Sequence, residues 1–363
     1  ERLSKIKPYL DFRMMKMIEA VDLFCGAGGL TAGLQKVGVK VNAGYDIEET
    51  CRFAFEFNNQ TSFINKDVSL VNGDEITQWY KTDSVRLLAG CAPCQPFSKY
   101  NQGKDTQSDK KWPLLYAFAR LIKEVKPELV TMENVPEVIK HQVYHDFVDE
   151  LKSQDYFIWA DTIKCVDYGL PQQRKRHVLL ASKLGEIEMI APTHSLENQV
   201  TVKDAIKHLP PIKAGETCPT DRLHRAMALS EINLKRIQAS KQGGTWRDWP
   251  ESLRTECHRR ASGSTYSAVY GRMSWDKPSP TMTTLCYGYG NGRFGHPEQD
   301  RAISLREAAI FQAFPEEYQF MPEDQPINLN TVGRMIGNAV PVTLGEIIGK
   351  SFMAHLKQVC HKN

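Results

Sequence analysis

The chain has 363 residues, 41% of them hydrophobic, and a formal net charge of +3. This length predicts a globular protein with two domains, or one domain that carries a large insertion. Apolar runs stay below the ~18 residues of a membrane span, and the nine cysteines are unevenly spaced, which favours reduced thiols in the cytoplasm over a disulfide framework. The first thirteen residues lack the apolar core of a signal peptide, and we expect folded structure to begin near Met14.

Short apolar segments alternate with amphipathic helical segments from Ile18 to about Ser182. This alternation predicts an α/β fold with a doubly wound, mostly parallel sheet. The predicted strands are Glu19 to Leu23, Val39 to Tyr45, Ser62 to Asn65, Val85 to Ala89, Leu129 to Met132, Phe157 to Val166 and His177 to Ala181. The predicted helices lie near Gly29 to Lys36, Glu48 to Phe57, Trp112 to Val125 and Tyr144 to Ser153.

The pattern changes after about Ala191, where prolines and glycines interrupt short, irregular segments. Residues 200–300 contain 15 Lys and Arg against 10 Asp and Glu, a local charge of +5. Such a basic segment fits a polyanion-binding module, although a solvated face with a chance excess is equally compatible. Helical periodicity returns at Leu305 to Phe314 and Thr343 to Leu356. We therefore predict one domain from residues 14–190 and 301–363, and a smaller loop-rich domain from residues 191–300.

The first predicted strand ends in a glycine-rich turn, Asp22 to Gly29, that runs into a helix. Glycines at a helix N-terminus let a ligand approach the backbone. A dinucleotide site is one interpretation, but the spacing GxGG differs from GxGxxG. The Asp22 carboxylate suits a cationic amino group and Phe24 suits an adenine ring, which points to S-adenosylmethionine. A tight turn with a purely structural role is the alternative.

Acidic residues also follow the second and third predicted strands. Asp46, followed by Ile47, is placed to accept hydrogen bonds from ribose hydroxyls, and Asp67, followed by Val68, is placed to reach an adenine amine. Each of these residues on its own is equally well explained as a helix N-cap. Three acidic strand ends in series favour a nucleoside site.

The fourth predicted strand ends at a loop with Cys94 between Pro93 and Pro96. The two prolines restrict the backbone, so the thiol is aimed, and the fifth predicted strand brings Glu133 to the same sheet edge. A buried structural cysteine is the simplest alternative. Cys91 and Cys94 also form a CxxC pair, but no second pair follows and no helix opens there, which disfavours zinc and redox sites.

Taken together, these segments resemble the DNA cytosine-5 methyltransferases of the bacterial modification type. The resemblance covers nearly all of residues 18–356, in the family's usual order. The matching motifs are Asp22 to Gly29, Pro93-Cys94-Gln95, Glu133-Asn134-Val135, Gln172 to Arg176, Arg306-Glu307 and Gly337 to Val340.

The resemblance implies covalent catalysis on a cytosine flipped out of the duplex. Cys94 would add to C6, and Glu133 would bind N3 and the exocyclic amine. Arg176 would hold O2 of the base, and Arg174 would orient the pocket. The polar segment Lys99 to Lys111 would close over DNA, with an ordinary surface loop as the alternative.

The resemblance also implies sites for S-adenosyl-L-methionine and double-stranded DNA, and no metal site. The cofactor-binding residues would be Asp22, Phe24, Gly26, Gly28, Gly29, Asp46, Ile47, Asp67, Val68, Pro93, Leu114, Asn338, Ala339 and Val340. The DNA-binding residues would be Gln95, Ser98, Arg247, Arg272, Thr284, Leu285 and Arg293. Two positions depart from the family pattern, because Ile47 replaces an aromatic residue often found there and Ala339 replaces a serine that is also common.

The functional prediction is a sequence-specific DNA cytosine-5 methyltransferase, monomeric, located in the bacterial cytoplasm with the nucleoid and paired with a restriction endonuclease. A tRNA cytosine-5 methyltransferase is the first alternative, since one branch of the family acts on RNA with the same motifs. A catalytically silent DNA-binding regulator is the second. The long basic insertion favours DNA over tRNA, and the presence of Cys94, Glu133 and Arg176 argues against a silent protein.

Overall fold

The computed structural model describes residues 17–93, 113–260, 263, 265 and 267–362. Its main sheet has seven strands within these ranges. They are β1 (Ile18–Leu23), β2 (Lys40–Asp46), β3 (Ser62–Asn65), β4 (Val85–Gly90), β5 (Leu129–Asn134), β6 (Phe157–Lys164) and β7 (Lys175–Ser182). Their spatial order is β3-β2-β1-β4-β5-β7-β6.

Strands β1 to β5 pair in parallel, and β7 runs antiparallel to both β5 and β6. The predicted α/β fold with a mostly parallel sheet is confirmed. The spatial order of the strands reverses at β1: β2 and β3 lie on one side of it, and the chain then crosses to β4 on the other side. Ligands bind at such switch points in open α/β sheets. The reversal of β7 brings its first residues to the edge where β4 and β5 end.

Two helical layers cover the sheet. The main helices of these layers are α1 (Gly29–Lys36), α2 (Arg52–Asn59), α3 (Gly73–Thr77), α4 (Pro113–Val125) and α5 (Gln142–Ser153). Alternate residues of β1 enter different cores: Ile18 and Ala20 pack with α1, whereas Val21 and Leu23 pack with α4 and α5. All six residues of β1 are buried, as expected for a central strand covered on both faces.

The region from residue 191 to 300 contains short elements, in agreement with its proline and glycine content. They are α6 (Val202–Ile206), β8 (Thr217–Cys218), β9 (Asp221–Arg225), α7 (Glu231–Gln238) and α8 (Glu256–Arg259). Trp246 and Trp249 form a small core with Ile237. Other residues of the region share a core with the elements that follow, so the predicted domain boundaries at 191 and 300 stay a prediction.

Three helices complete the chain: α9 (Leu305–Phe311), α10 (Leu329–Asn338) and α11 (Val342–Lys362). Helix α11 packs along α1 and closes one face of the sheet. It begins one residue before the predicted Thr343 and continues beyond the predicted Leu356. No helix within the described residues has the length and apolarity of a membrane span.

The Arg306-Glu307 motif connects α9 to the loop-rich region through ion pairs. Glu307 is 1% exposed and pairs with the fully buried Arg301, with oxygen to nitrogen distances of 2.7 and 2.8 Å. Burial by itself would raise the pKa of Glu307, but the Arg301 guanidinium lowers it to about 2. Arg306 pairs with Asp221 of β9 at 2.6 Å. These contacts fix the loop-rich region against α9.

Candidate active site

A cleft of about 680 Å³ opens at the sheet edge where β1, β2, β4 and β5 end. Because β7 is antiparallel, residues at its start reach the same edge. Thirteen of the predicted site residues line this cleft. They are Asp22, Phe24, Gly26, Asp46, Ile47, Pro93, Glu133, Arg174, Arg176, Thr284, Asn338, Ala339 and Val340.

Asp22 is a buried acid at the floor of the cleft, with 1% of its surface exposed. Its Oδ2 accepts a hydrogen bond from Thr31 Oγ1 at 2.7 Å, while Oδ1 has no hydrogen-bond partner in the described part of the chain. Burial raises the pKa of Asp22 to about 7. Phe24 adopts a left-handed backbone conformation with φ of 60°, which is rare for a bulky residue and marks functional turns. An orphaned buried oxygen fits a cationic ligand group.

Gly28 and Gly29 have a packing role, so the prediction that they contact the cofactor is not supported. A Cβ at Gly28 would lie 2.4 Å from the Asn59 side chain, and φ there is 91°. A Cβ at Gly29 would lie 2.1 Å from the carbonyl oxygen of Val340. The two glycines let the turn press against the late part of the chain, and Gly26 is the glycine that lines the cleft.

Asp46 organises the neighbouring wall. Its carboxylate accepts backbone N–H groups of Gly26 and Glu48, both at 2.8 Å. Burial raises the pKa of Asp46, and the two N–H donors oppose that rise. Ile47 is 71% exposed at the rim of the cleft. The position that is often aromatic in the family is therefore open to ligand but offers only an aliphatic side chain.

Besides Gly28 and Gly29, three predicted cofactor residues are absent from the cleft lining in the described ranges: Asp67, Val68 and Leu114. Asp67 Oδ1 accepts the N–H of Ser69 at 2.8 Å, so it caps a 3-10 turn. Val68 is 2% exposed and belongs to the apolar core, and Leu114 is half-buried near the start of α4. For Asp67 the N-cap interpretation, which the sequence left open, is the one observed.

The opposite wall of the cleft comes from α10 and the residues that follow it. Asn338, Ala339 and Val340 line the cleft where α10 ends. Arg334 on the same helix pairs with Glu48 at 2.6 Å across the rim, and both side chains are substantially exposed. Sequence reasoning missed this pair because its partners are 286 positions apart.

Glu133 and Arg176 form the polar centre of the cleft. Glu133 is 2% exposed at the end of β5, and Arg176 Nε lies 2.7 Å from Glu133 Oε1. The Cys91 Sγ lies 2.7 Å from Glu133 Oε2. The two residues that the resemblance assigns to the cytosine base, Glu133 and Arg176, are thus in contact with each other. Cys91 is a further cleft residue whose contact with the acid the sequence did not predict.

Arg174 is buried beside this pair, with 3% of its surface exposed. Its Nη1 donates to the carbonyl oxygen of Met282 at 3.0 Å, and its Nη2 donates to that of Ala339 at 3.4 Å. Burial, followed by the neighbouring Arg176 charge, lowers the pKa of Arg174 to about 10. Arg174 therefore joins three segments of the wall, which supports the predicted orienting role.

The predicted nucleophile Cys94 lies outside the described residues, as do Gln95, Ser98 and the segment from Lys99 to Lys111. Pro93, directly before Cys94, is exposed and lines the cleft together with Cys91. Across the described ranges, no group of three or more His, Cys, Asp and Glu side chains is arranged to hold a metal ion.

The predicted DNA-binding residues differ in their surroundings. The prediction for Arg272 is wrong: it is 4% exposed and donates to the carbonyl oxygens of Ile237, His296 and Gln299 at 2.8 to 3.1 Å. These bonds satisfy its guanidinium inside the fold.

Arg293 is half-buried and donates to the carbonyl oxygen of Gly243 at 2.6 Å. Arg247 is exposed and its guanidinium lies over the Trp246 ring at 5.5 Å. Thr284 lines the cleft, and Leu285 beside it is 43% exposed.

Comparison with known proteins agrees with this site. The sequence profile of the C-5 cytosine-specific DNA methylase family matches residues 18–354. Type II methylase M.HgiDII of Herpetosiphon aurantiacus is 52% identical over 340 residues, which cover 93% of this chain and 95% of that protein. Type II methyltransferase M1.HphI of Haemophilus parahaemolyticus is 30% identical over 342 residues, covering 92% and 86% of the two chains.

Solved structures show the same fold. A DNA modification methyltransferase encoded within an Escherichia coli prophage has a TM-score of 0.71 and 24% identity, covering 94% of this chain and 99% of that one. Spodoptera frugiperda DNMT2 has a TM-score of 0.62 and 16% identity. The chain therefore belongs to the C-5 cytosine-specific DNA methylase family and is a sequence-specific DNA cytosine-5 methyltransferase of the bacterial modification type, with S-adenosyl-L-methionine as its methyl donor.

Proposed function

We propose that methyl transfer proceeds through a covalent bond between Cys94 and C6 of a cytosine flipped out of double-stranded DNA. The observation that carries the proposal is the ion pair between the buried Glu133 and the partly buried Arg176, 2.7 Å apart in a cleft that Pro93 also lines. A charged pair at the bottom of a cleft suits recognition of a polar base edge. Cys94 follows Pro93 directly in the sequence.

The covalent step makes C5 nucleophilic. The Cys94 thiolate forms a bond to C6, and the electrons of the C5–C6 double bond move toward C5 and the ring's N3 side. When bound, S-adenosyl-L-methionine supplies an electrophilic methyl group carried on a sulfonium. After C5 has gained the methyl group, its proton leaves to water, the C5–C6 double bond re-forms and the thiolate departs with the electrons of the S–C6 bond.

Glu133 and Arg176 would stabilise the rearranged base. Glu133 is placed to share a proton with N3 and accept a hydrogen bond from the exocyclic amine, which neutralises charge that moves toward N3 on addition. The Arg176 guanidinium would donate to O2, where negative charge also develops. Arg174, held by backbone carbonyls, would keep Arg176 and the cleft wall in position.

The residues around Asp22 fit the cofactor. The unpartnered Oδ1 of Asp22 offers an acceptor for the amino group, and Asp46 lies at the neighbouring strand end for the ribose. Phe24 offers an aromatic face for the adenine, and the backbone around Asn338 to Val340 lines the other wall. The cleft of about 680 Å³ falls within the usual range for a small-molecule site.

We expect cofactor affinity to weaken as the pH falls through about 7, because the pKa of Asp22 is raised to about 7 and protonation removes its negative charge. Titration of S-adenosylmethionine by calorimetry between pH 6 and 8.5 measures this. Asp22→Asn should bind S-adenosylmethionine more weakly at pH 8, and its affinity should not decrease further as the pH falls through about 7. It also controls for the cofactor's own amino group, which loses its proton near a pKa of about 8. Equal pH slopes in both proteins would exclude Asp22 as the cause.

Double-stranded DNA would lie over the cleft and against the region of residues 191–300, which we propose as the target-recognition domain. Flipping the target base costs roughly a few kcal/mol of stacking and pairing. Arg247, Arg259 and Arg260 of this region are exposed, and we expect their guanidinium groups to contact phosphates when DNA binds. Thr284 lines the cleft itself and would contact the flipped nucleotide.

Arginine substitutions in this region should separate stability from DNA binding. Arg272→Ala is expected to lower the free energy of unfolding by roughly 3 kcal/mol or more, because it leaves several buried carbonyl oxygens unsatisfied. Arg247→Ala should change stability little and reduce the slope of log affinity against log salt by about 1. Urea unfolding and DNA titrations at several salt concentrations test both. A normally stable Arg272→Ala protein with weak DNA binding would reinstate the original prediction.

The remaining parts of the proposal concern partners. The two curated relatives are named as Type II methylase and Type II methyltransferase, which supports a restriction endonuclease as the functional counterpart of this enzyme. We propose a monomer, since each strand of a recognition site presents its own target. A cytoplasmic location with association to nucleoid DNA stays a prediction from the sequence.

Trapping tests the covalent step directly. DNA whose target cytosine carries fluorine at C5 has no C5 proton to lose, so the S–C6 bond should persist after methyl transfer. Incubation with S-adenosylmethionine should give a protein–DNA complex that survives denaturing electrophoresis, and peptide mapping should place the bond at Cys94. Methylation of ordinary DNA without any trapped complex would overturn the covalent mechanism.

A further inference from the structure

Cys91 faces the catalytic acid from the neighbouring strand. It is the first residue after β4, and the parallel register of β4 and β5 places Gly90 opposite Met132. One residue further along each strand, the Cys91 Sγ lies 2.7 Å from Glu133 Oε2. The sheet itself therefore produces the contact, and the position of Cys91 depends on a well-paired strand end.

The two oxygens of Glu133 have different neighbours. Arg176 Nε lies 2.7 Å from Oε1, and the Cys91 thiol contacts Oε2. A carboxylate has about four lone-pair sites, so each oxygen keeps one for the base. The terminal torsion of a glutamate is broad and weakly restricted. A neighbour on each oxygen fixes the plane of the carboxyl group, which one neighbour alone would leave free to rotate.

We propose that Cys91 is a positioning residue for the methyl transfer reaction, whose thiol donates a hydrogen bond to Glu133 and holds the carboxyl plane toward the flipped cytosine. The inference rests on the proposed function, in which Glu133 binds N3 and the exocyclic amine of that base. Cys91 itself forms no bond to substrate in this scheme. It acts through Glu133 and is distinct from the nucleophile Cys94.

A packing role for the sulfur is the rival explanation, because Cys91 also packs against the core formed by β4, α1 and α11. The two explanations differ in what must replace the thiol. A positioning role needs a hydrogen-bond donor at this site, whereas packing needs only a side chain of suitable volume. Pairs of variants with nearly equal volume, one with a hydroxyl and one without, separate them.

The experiment compares Cys91→Ser with Cys91→Ala, and Cys91→Thr with Cys91→Val. Single-turnover methylation is measured at saturating DNA and cofactor, together with the KM for S-adenosylmethionine and the melting temperature. We expect the single-turnover rates of the Ala and Val variants to be about five- to ten-fold lower than that of the parent protein, which corresponds to the loss of one hydrogen bond. The Ser and Thr variants should stay within about two-fold, and the KM should be unchanged in all four. Cys360→Ala, which removes an exposed thiol on α11, is the matched control.

Equal rates within each pair would overturn the inference, whether both members are as active as the parent or equally slow. The second pair keeps the test valid if Cys91→Ala proves unstable. Trapping with 5-fluorocytosine DNA separates this failure from failure of the proposed function. An unmodified enzyme that forms no trapped adduct contradicts the covalent mechanism, whereas normal trapping with equal rates within each pair contradicts only the role of Cys91.

Discussion

Replacing Cys94 with alanine is expected to reduce DNA methylation by roughly 10⁴-fold or more, the usual scale for loss of an enzymic nucleophile. The physical reason is that C5 of cytosine is a poor nucleophile until a group adds at C6. Alanine has no electron pair to give, so the binding interactions of Glu133, Arg176 and the cofactor residues cannot compensate. Transfer of a labelled methyl group from S-adenosylmethionine to DNA measures the loss.

Binding should survive the same substitution. The Asp22 and Asp46 residues that are proposed to hold the cofactor lie on β1 and β2, whereas Cys94 follows β4 in the sequence. We therefore expect Cys94→Ala to bind S-adenosylmethionine and DNA with nearly unchanged affinity and to form no adduct with 5-fluorocytosine DNA. Cys360→Ala controls for loss of a thiol in general. Retained methylation by Cys94→Ala would direct attention to Cys91, whose thiol contacts Glu133.

Much of the fold could be predicted from the sequence because hydrophobic periodicity reports burial. The predicted Glu19 to Leu23 and Ser62 to Asn65 agree with β1 and β3 to within one residue, and α1 agrees at both ends. The antiparallel direction of β7 could not be predicted from the sequence, because a strand shows the same two-residue hydrophobic periodicity in either direction. Strand pairing is decided by how the chain packs, and a local pattern does not encode it.

The centre of the site was predictable for a related reason. Strand ends of an open α/β sheet meet at one edge, so Asp22, Asp46 and Glu133 were expected together and do line one cleft. Arg176 joins them only because β7 reverses direction. The family resemblance implied that Arg176 belongs to the site, but the 2.7 Å pairing with Glu133 follows from the sheet order.

The predicted site residues that have structural roles instead share a physical cause. Asp67, Gly29 and Arg272 are residue types that serve structure and function equally well, as cap, close-packing residue and buried donor. Their environment decides between the roles: Asp67 caps Ser69, Gly29 meets the Val340 carbonyl and Arg272 binds three buried carbonyls. A sequence gives the chemistry of a side chain, whereas its burial and partners depend on residues far away along the chain.

Replacing Glu133 with glutamine is expected to lower the rate of methyl transfer by about 10²- to 10⁴-fold, the range for loss of general acid–base assistance. The amide keeps the shape of the acid, but it replaces one acceptor oxygen with an NH2 donor. It cannot share a proton with N3, so negative charge formed on addition stays in the ring. The substitution also removes the charge that faces Arg176 at 2.7 Å. Single-turnover rates and the amount of trapped adduct should therefore fall together.

Glu128→Gln is the matched control for this variant. Glu128 directly precedes β5 and pairs with Arg86 at 2.7 Å, at the other end of the strand from the cleft. The Glu128→Gln variant should be somewhat less stable than the parent protein and should transfer methyl groups at the same rate. Glu133→Gln should bind the cofactor with unchanged affinity and react more slowly. If Glu133→Gln transferred methyl groups at the rate of the parent protein, N3 would need another proton partner, and the proposal that Glu133 assists addition would be wrong. If both variants slowed methyl transfer equally, the effect would come from disturbance of β5 and not from loss of the Glu133 carboxyl group.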